Sequence, residues 1–187
     1  MTSEHFNKAI AKFDEYNTAD PKGSEVLYAQ RMSDRLNKFQ PGAPEHIQLA
    51  IRCQHIGRWQ IPRNTYPEGK KGYIAWRNKL KDHHAEIAGR IMTECGYDHE
   101  MIGQVQDLLE KKDLRNNPDT KLLEDVVCLV FVEFYLDDFA GKHDDAKVID
   151  ILAKTFRKMT PAAVNAASEI PLSSKAKDLF DRAASVR

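Results

Sequence analysis

Long apolar runs are missing from this chain. The longest, Val126–Val132, is the length of one helical core segment, far short of the roughly 20 residues a membrane span needs. No membrane partner is therefore expected. The opening residues MTSEHFNKAIAKF carry charge throughout and lack the apolar centre of a secretion signal. Cysteine is scarce: Cys53, Cys95 and Cys128 sit singly, with no CxxC spacing. That excludes a disulfide scaffold and predicts reduced thiols in a cytoplasmic protein. Net charge is absent too, since Lys+Arg and Asp+Glu both total 28. The molecule offers no global field to nucleic acid or anionic surfaces, so any preference for anions must come from local clustering. Alternating strand patterns, internal repeats and low-complexity tracts are missing as well.

What remains is helical periodicity over 187 residues with 42% hydrophobic content, enough to bury a substantial core. The expected fold is all-α, a single helical domain of about seven to eight helices over 1–160 with a C-terminal helical extension over 161–187. Helices are predicted at about 4–17, 25–39 (capped by Ser24), 44–57, 72–94, 99–112 (capped by Asp98), 119–140 and 144–158. A short helix begins at Thr160-Pro161, and a last one reaches about 184. Gly57 is placed to end the third helix. The loop 58–70 carries Pro62, Pro67 and Gly69 and has the length at which loops are often functional.

Helical geometry sorts the polar residues. His46 and His55 lie nine positions apart on one predicted helix and so on opposite faces; His46, beside Glu45 at the helix start, reads as a surface residue. His84 falls on the stripe Leu80–His84–Ile87–Ile91 and faces inward. Asp125 falls on the stripe Leu122–Asp125–Leu129–Val132 of a helix apolar nearly all round, and Glu124 lies on the adjoining stripe. A carboxylate buried there needs a partner: a histidine, a metal, or an arginine such as Arg52, Arg58 or Arg90 in a buried ion pair. From Arg52 to Lys81 there are eight bases and one acid, Glu68, with Trp59, Tyr66, Tyr73 and Trp76 interleaved. Such a mixture suits a phosphorylated ligand with a stackable ring, a nucleotide or a short RNA. The alternative is a solvated face balanced by acids elsewhere.

The order of these motifs resembles the HD-domain superfamily of metal-dependent phosphohydrolases. Gln54-His55-Ile56-Gly57-Arg58 is similar to its His-Asp stretch, His84-Ala85-Glu86-Ile87-Ala88 to its following histidine helix, and Leu123-Glu124-Asp125-Val126-Val127 to its late aspartate segment. The chain departs from the pattern at Ile56, which replaces the aspartate, at Tyr28 or Gln30 in place of the first histidine, and near Lys111 in place of a later one. What the resemblance implies is one divalent transition metal held by His55, His84 and Asp125, rather than two. Glu124 and Glu86 become acid–base candidates, and Arg58, Arg63, Lys70, Lys71 and Arg77 candidates for holding phosphates.

The chain is also similar to the HD-like family known as domain of unknown function 4202, in the blocks Gln54–Arg63 with Tyr66–Arg77, His84–Gly89, Leu123–Phe131 and Phe139–Ile151. That resemblance implies a fold and a pocket but no reaction. Two readings stand side by side. In one, the protein is a single-metal phosphohydrolase acting on a nucleotide-like phosphorylated molecule. In the other, it is a metal-free, non-catalytic relative binding a ligand, RNA or a protein partner through its basic loop.

Overall fold

The computed structural model describes residues 3–185. Among them there is no strand, so the all-α expectation holds. The helices number ten α-helices and two 3₁₀ turns in the described residues, more than the seven to eight expected. The chain divides into two compact units, the first ending at Thr120 and the second beginning at Lys121.

The first unit holds α1 (Glu4–Asn17), α2 (Glu25–Phe39), α3 (Glu45–Arg52), α4 (Gly69–Glu94) and α5 (His99–Glu110). Helix α4 packs on α5, α3 packs on both α2 and α5, and α1 lies against α3 and α4. Their apolar stripes supply a core that includes Phe13, Met32, Leu36, Ile47, Ile51, Ile56, Leu80, Met92 and Val105, each almost wholly buried. At about 25 cal/mol per Å² of apolar surface removed from water, such residues carry most of the stability of the unit. Arg52 is buried with them and needs partners there. It donates from Nε and Nη2 to the two carboxylate oxygens of Asp14, at 2.8 and 2.6 Å, and from Nη1 to Gln30 and Ser33. Its guanidinium is thus spent on fastening α1 and α2 to α3.

Several boundaries differ from the sequence expectation, each for a local reason. Helix α3 stops at Arg52, and residues 53–57 form successive turns, so His55 lies beyond the helix. Gly57 adopts a left-handed φ of +69° and turns the chain into the 3₁₀ segment Arg58–Gln60. The loop that follows includes a second 3₁₀ turn at Arg63–Thr65, and α4 begins at Gly69, ahead of the predicted residue 72.

The second unit contains most of α6 (Pro118–Phe134), then α7 (Leu136–Lys142), α8 (Asp145–Phe156), α9 (Pro161–Ser168) and α10 (Ser174–Ser185). The helix expected over 119–140 is interrupted at Tyr135, whose φ of −126° leaves the helical range. Helix α10 packs on α7 and α8, with Phe156 and Phe180 meeting edge-on at 4.8 Å. No helix among the described residues is long and apolar enough to cross a membrane.

The start of α2 shows how a cap can be displaced. Ser24 occupies the cap position but its hydroxyl makes no capping bond. Asp20 does the work from four residues upstream: one carboxylate oxygen accepts from the Ser24 N–H at 2.8 Å, the Ser24 hydroxyl at 2.9 Å and the Glu25 N–H at 3.2 Å, and the other accepts from the Lys22 N–H. Burial alone would push the Asp20 pKa up, but these bonds outweigh it and hold the group below its ordinary value. Asp20→Ala is therefore expected to lower stability in urea denaturation by about 1–2 kcal/mol, and Ser24→Ala by only a few tenths.

Candidate functional site

The site grows from the reversal between α3 and α4. Backbone carbonyl Ile56 O is buried and accepts a 2.6 Å hydrogen bond from Nδ1 of His84. A carbonyl can only accept, so His84 carries its proton on Nδ1 and its Nε2 is bare. His83, one residue earlier on α4, donates from Nε2 toward Gly57 O and Gln60 Oε1, at 3.2 and 3.0 Å. Both histidines of α4 thus grip the same turn. Gly57 is favoured by its positive φ, and a Cβ there would sit 2.6 Å from Ile87 Cδ1, a side-chain end that would have to shift.

His55 projects from this turn and stacks on Tyr28 of α2, ring centres 4.1 Å apart and nearly parallel. Its Nε2 accepts from Arg58 Nη1 at 3.2 Å, which leaves Nδ1 as the protonated nitrogen. That Nδ1 faces Glu25 Oε2 at 3.8 Å, too far for a hydrogen bond. Glu25 Oε2 is buried without any hydrogen-bond partner. Burial drives the Glu25 pKa up to about 7, against the pull of Arg58. Burial, with Arg58 and His84 beside it, pushes His55 well below the usual histidine range. Burial pushes His84 down to about 3 despite its bond to Ile56. At neutral pH both rings are uncharged.

Two spaces meet at Arg58. The larger is a cavity of about 410 Å³ lined by Trp59, Trp76, Arg58, Arg63, Lys22 and Asn64, among others. Its wall is braced by a 2.8 Å hydrogen bond from Trp76 Nε1 to Ile61 O and one of 2.9 Å from Arg63 Nη1 to Tyr66 O. The Arg58 guanidinium lies 4.7 Å above the Trp76 ring, a cation–π contact. Gly72 lets the loop close: a Cβ there would stand 1.9 Å from Pro67 O. The smaller space, about 10 Å³, is bordered by His55, His84, Arg58, Arg77, Lys81 and Lys111.

The predicted site residues separate on this geometry. His55 and His84 come together, with ring centres 6.0 Å apart. Arg58 and Arg63 line the larger cavity, and Arg58 and Arg77 the smaller. Lys70 and Lys71 are exposed in the first turn of α4 and line neither, and Glu86 is exposed on α4. Asp125 lies in the second unit, where both carboxylate oxygens are occupied by Thr160, accepting from its N–H at 2.8 Å and its hydroxyl at 2.6 Å. It fastens the capping residue of α9 to α6. Burial raises its pKa against those two bonds. Glu124, beside it, is buried. His46, expected at the surface, is partly buried and pairs with Asp119 at 2.8 Å.

A protein-family comparison matches residues 7–180 to the family described as Domain of unknown function (DUF4202). The chain belongs to that family. No match was found among curated proteins or among solved structures.

The donors available do not fit the divalent metal that the HD resemblance implies. His55 Nε2 is taken by Arg58, so that His84, through its bare Nε2, is the one ring of the pair with an open nitrogen facing a ligand. Both oxygens of Asp125 are taken by Thr160. Two arginines and two lysines border the space beside the histidines, a setting that repels a cation. Among the described residues no group of three or more His, Cys, Asp or Glu is placed to hold a metal ion.

Glu25 and Lys22 were not singled out from the sequence; Lys81 entered only as the end of the basic run, and Lys111 only as the place of a missing histidine. Glu25 could have been: it continues the buried stripe Ala29–Met32–Leu36 of α2 one turn back. Its raised pKa has a consequence for stability. The folded protein binds a proton at Glu25 up to pH about 7, whereas the unfolded chain releases it near 4.5, so stability falls as pH rises through that window. The cost at pH 8 is about 3 kcal/mol. Glu25→Gln should stabilise the protein at pH 8 by roughly that order and flatten the decline between pH 4.5 and 7 in urea titrations.

Proposed function

We propose that this protein binds a phosphorylated small molecule carrying a planar ring, a nucleotide-like ligand, in the cavity between α4 and the loop before it. The observation that carries the reading is the convergence of Trp59 and Trp76 with Arg58 and Arg63 on one space of about 410 Å³. That volume lies within the range of small-molecule sites. A tryptophan face accepts a stacked ring, and an arginine fork matches two phosphate oxygens at once. Burial and the neighbouring Arg77 lower the pKa of Arg58, and the charge of an anionic ligand would oppose that lowering.

The HD-like relationship is part of the same proposal. Its support is the approach of His55 and His84 to within 6.0 Å, as the motif order requires. On this reading the histidine centre is metal-free and the chain is a binding member of an otherwise catalytic architecture. A cytoplasmic location belongs with it, supported by three buried cysteines outside any disulfide, Cys53, Cys95 and Cys128.

The chain has two tryptophans in all, and both line the cavity, so intrinsic fluorescence is a direct probe. Titration with a panel of nucleoside mono- and diphosphates should give saturable quenching. Arg63→Ala should weaken it about tenfold or more, and the matching nucleosides should bind more weakly than their phosphates. An unchanged spectrum across the panel, or equal binding of nucleoside and nucleotide, would defeat the proposal.

A further inference from the structure

The small pocket behind Arg58 is the second place where chemistry gathers. Arg58, Arg77, Lys81 and Lys111 border it, together with Gln54, His55 and His84, and none of its lining residues is acidic. Lys111 reaches it from the end of α5 through a left-handed backbone, φ +60°, a conformation that costs a residue with a side chain about 1 kcal/mol or more. The interior has room for one water-sized atom, while basic side chains stand at its border.

We infer that this pocket is a phosphoryl-oxygen site: one protonated oxygen of a phosphate monoanion seats between the histidines, and its remaining oxygens face the arginines and lysines at the mouth. The charge follows from the lining, since an anion offsets the mutual repulsion of Arg58 and Arg77 where a metal cation would add to it. The tetrahedral oxyanion follows from the arginines, whose planar forks match paired oxygens. The proton follows from the His84 tautomer. With Nδ1–H committed to Ile56 O, the free nitrogen of that ring is an acceptor, and a P–OH group can donate to it whereas a bare oxyanion cannot. Lowering of the His55 and His84 pKa values by burial, and by the cations around them, agrees with a basic border, and the acid nearest to it, Glu25 beside His55, is itself pushed up to about 7 by burial. The site stands on its own lining and does not depend on whether a ring occupies the larger cavity.

Inorganic phosphate is the probe, followed by calorimetry and thermal shift on the full chain near neutral pH, with chloride at matched ionic strength, sulfate and Mn²⁺ as comparisons. Phosphate is expected to bind in the millimolar range or tighter, sulfate more weakly because it has no proton to donate, and chloride and Mn²⁺ without specific effect. Arg77→Gln and Lys81→Gln should each weaken phosphate about tenfold. Lys71→Gln, at an exposed base of α4 that lines neither space, should leave phosphate binding unchanged. Arg77→Gln separates failure of this site from failure of the nucleotide-like reading, because Arg77 borders the smaller space and not the larger. Absence of phosphate binding, equal binding of sulfate or chloride, unchanged affinity in both pocket variants, or stoichiometric Mn²⁺ uptake would each overturn the inference.

Discussion

The hydrogen bond from His84 to the carbonyl of Ile56 is the constraint on which the first unit's chemistry depends. It is short, buried, and joins the middle of the longest helix to the reversal after α3. An unmade bond at that carbonyl would cost on the order of 1–3 kcal/mol in so dry a position. Its larger effect is directional. By fixing the turn at 56–57, it sets where His55 emerges, how Arg58 leaves the turn, and which nitrogen of His84 is bare. Arg58 then divides the larger cavity from the smaller, so both inherit their geometry from one imidazole proton.

Much of the scaffold was legible in the sequence, because long amphipathic periods and capping residues are strong local signals. The bounds of α1 and α2 match, and Asp98 and Thr160 cap α5 and α9 as their spacing suggests. Expectation failed where tertiary partners overrode local preference. Ser24 looks like a cap, yet a carboxylate four residues away takes the same N–H groups. The period of α3 continues through His55 on paper, but the chain turns off the helix to meet α4. Burial of His84, Glu124 and Asp125 was readable from their stripes, since a helix that is apolar nearly all round has nowhere else to put them. Their partners were not readable. Thr160 lies 35 residues from Asp125, and no periodicity joins them. Glu25 escaped notice because an acid in a first helical turn normally satisfies the helix dipole at the surface.

The charge pattern repeats this lesson at larger scale. A chain with no net charge still concentrates bases along 52–81, and folding sorts them by depth. Lys70 and Lys71 remain in water, where each is screened within about 10 Å at ordinary ionic strength. Arg58 and Arg77 are drawn partly inside, where the same unit charge acts through a lower dielectric and counts for several-fold more. Composition alone therefore could not separate a solvated basic face from a working one; depth separates them.

The missing carbon at Gly72 bears on how any ligand would be received. With Pro67 O where a Cβ would otherwise stand, the loop lies directly on α4 and is held there by the indole of Trp76 and the guanidinium of Arg63. The conformational entropy of ordering that loop is thus spent during folding, before any ligand arrives. A guest would meet walls already in place, and its affinity would not be reduced by the cost of assembling them. Adding a single methyl group at this position would move that cost from the folding equilibrium to the binding equilibrium.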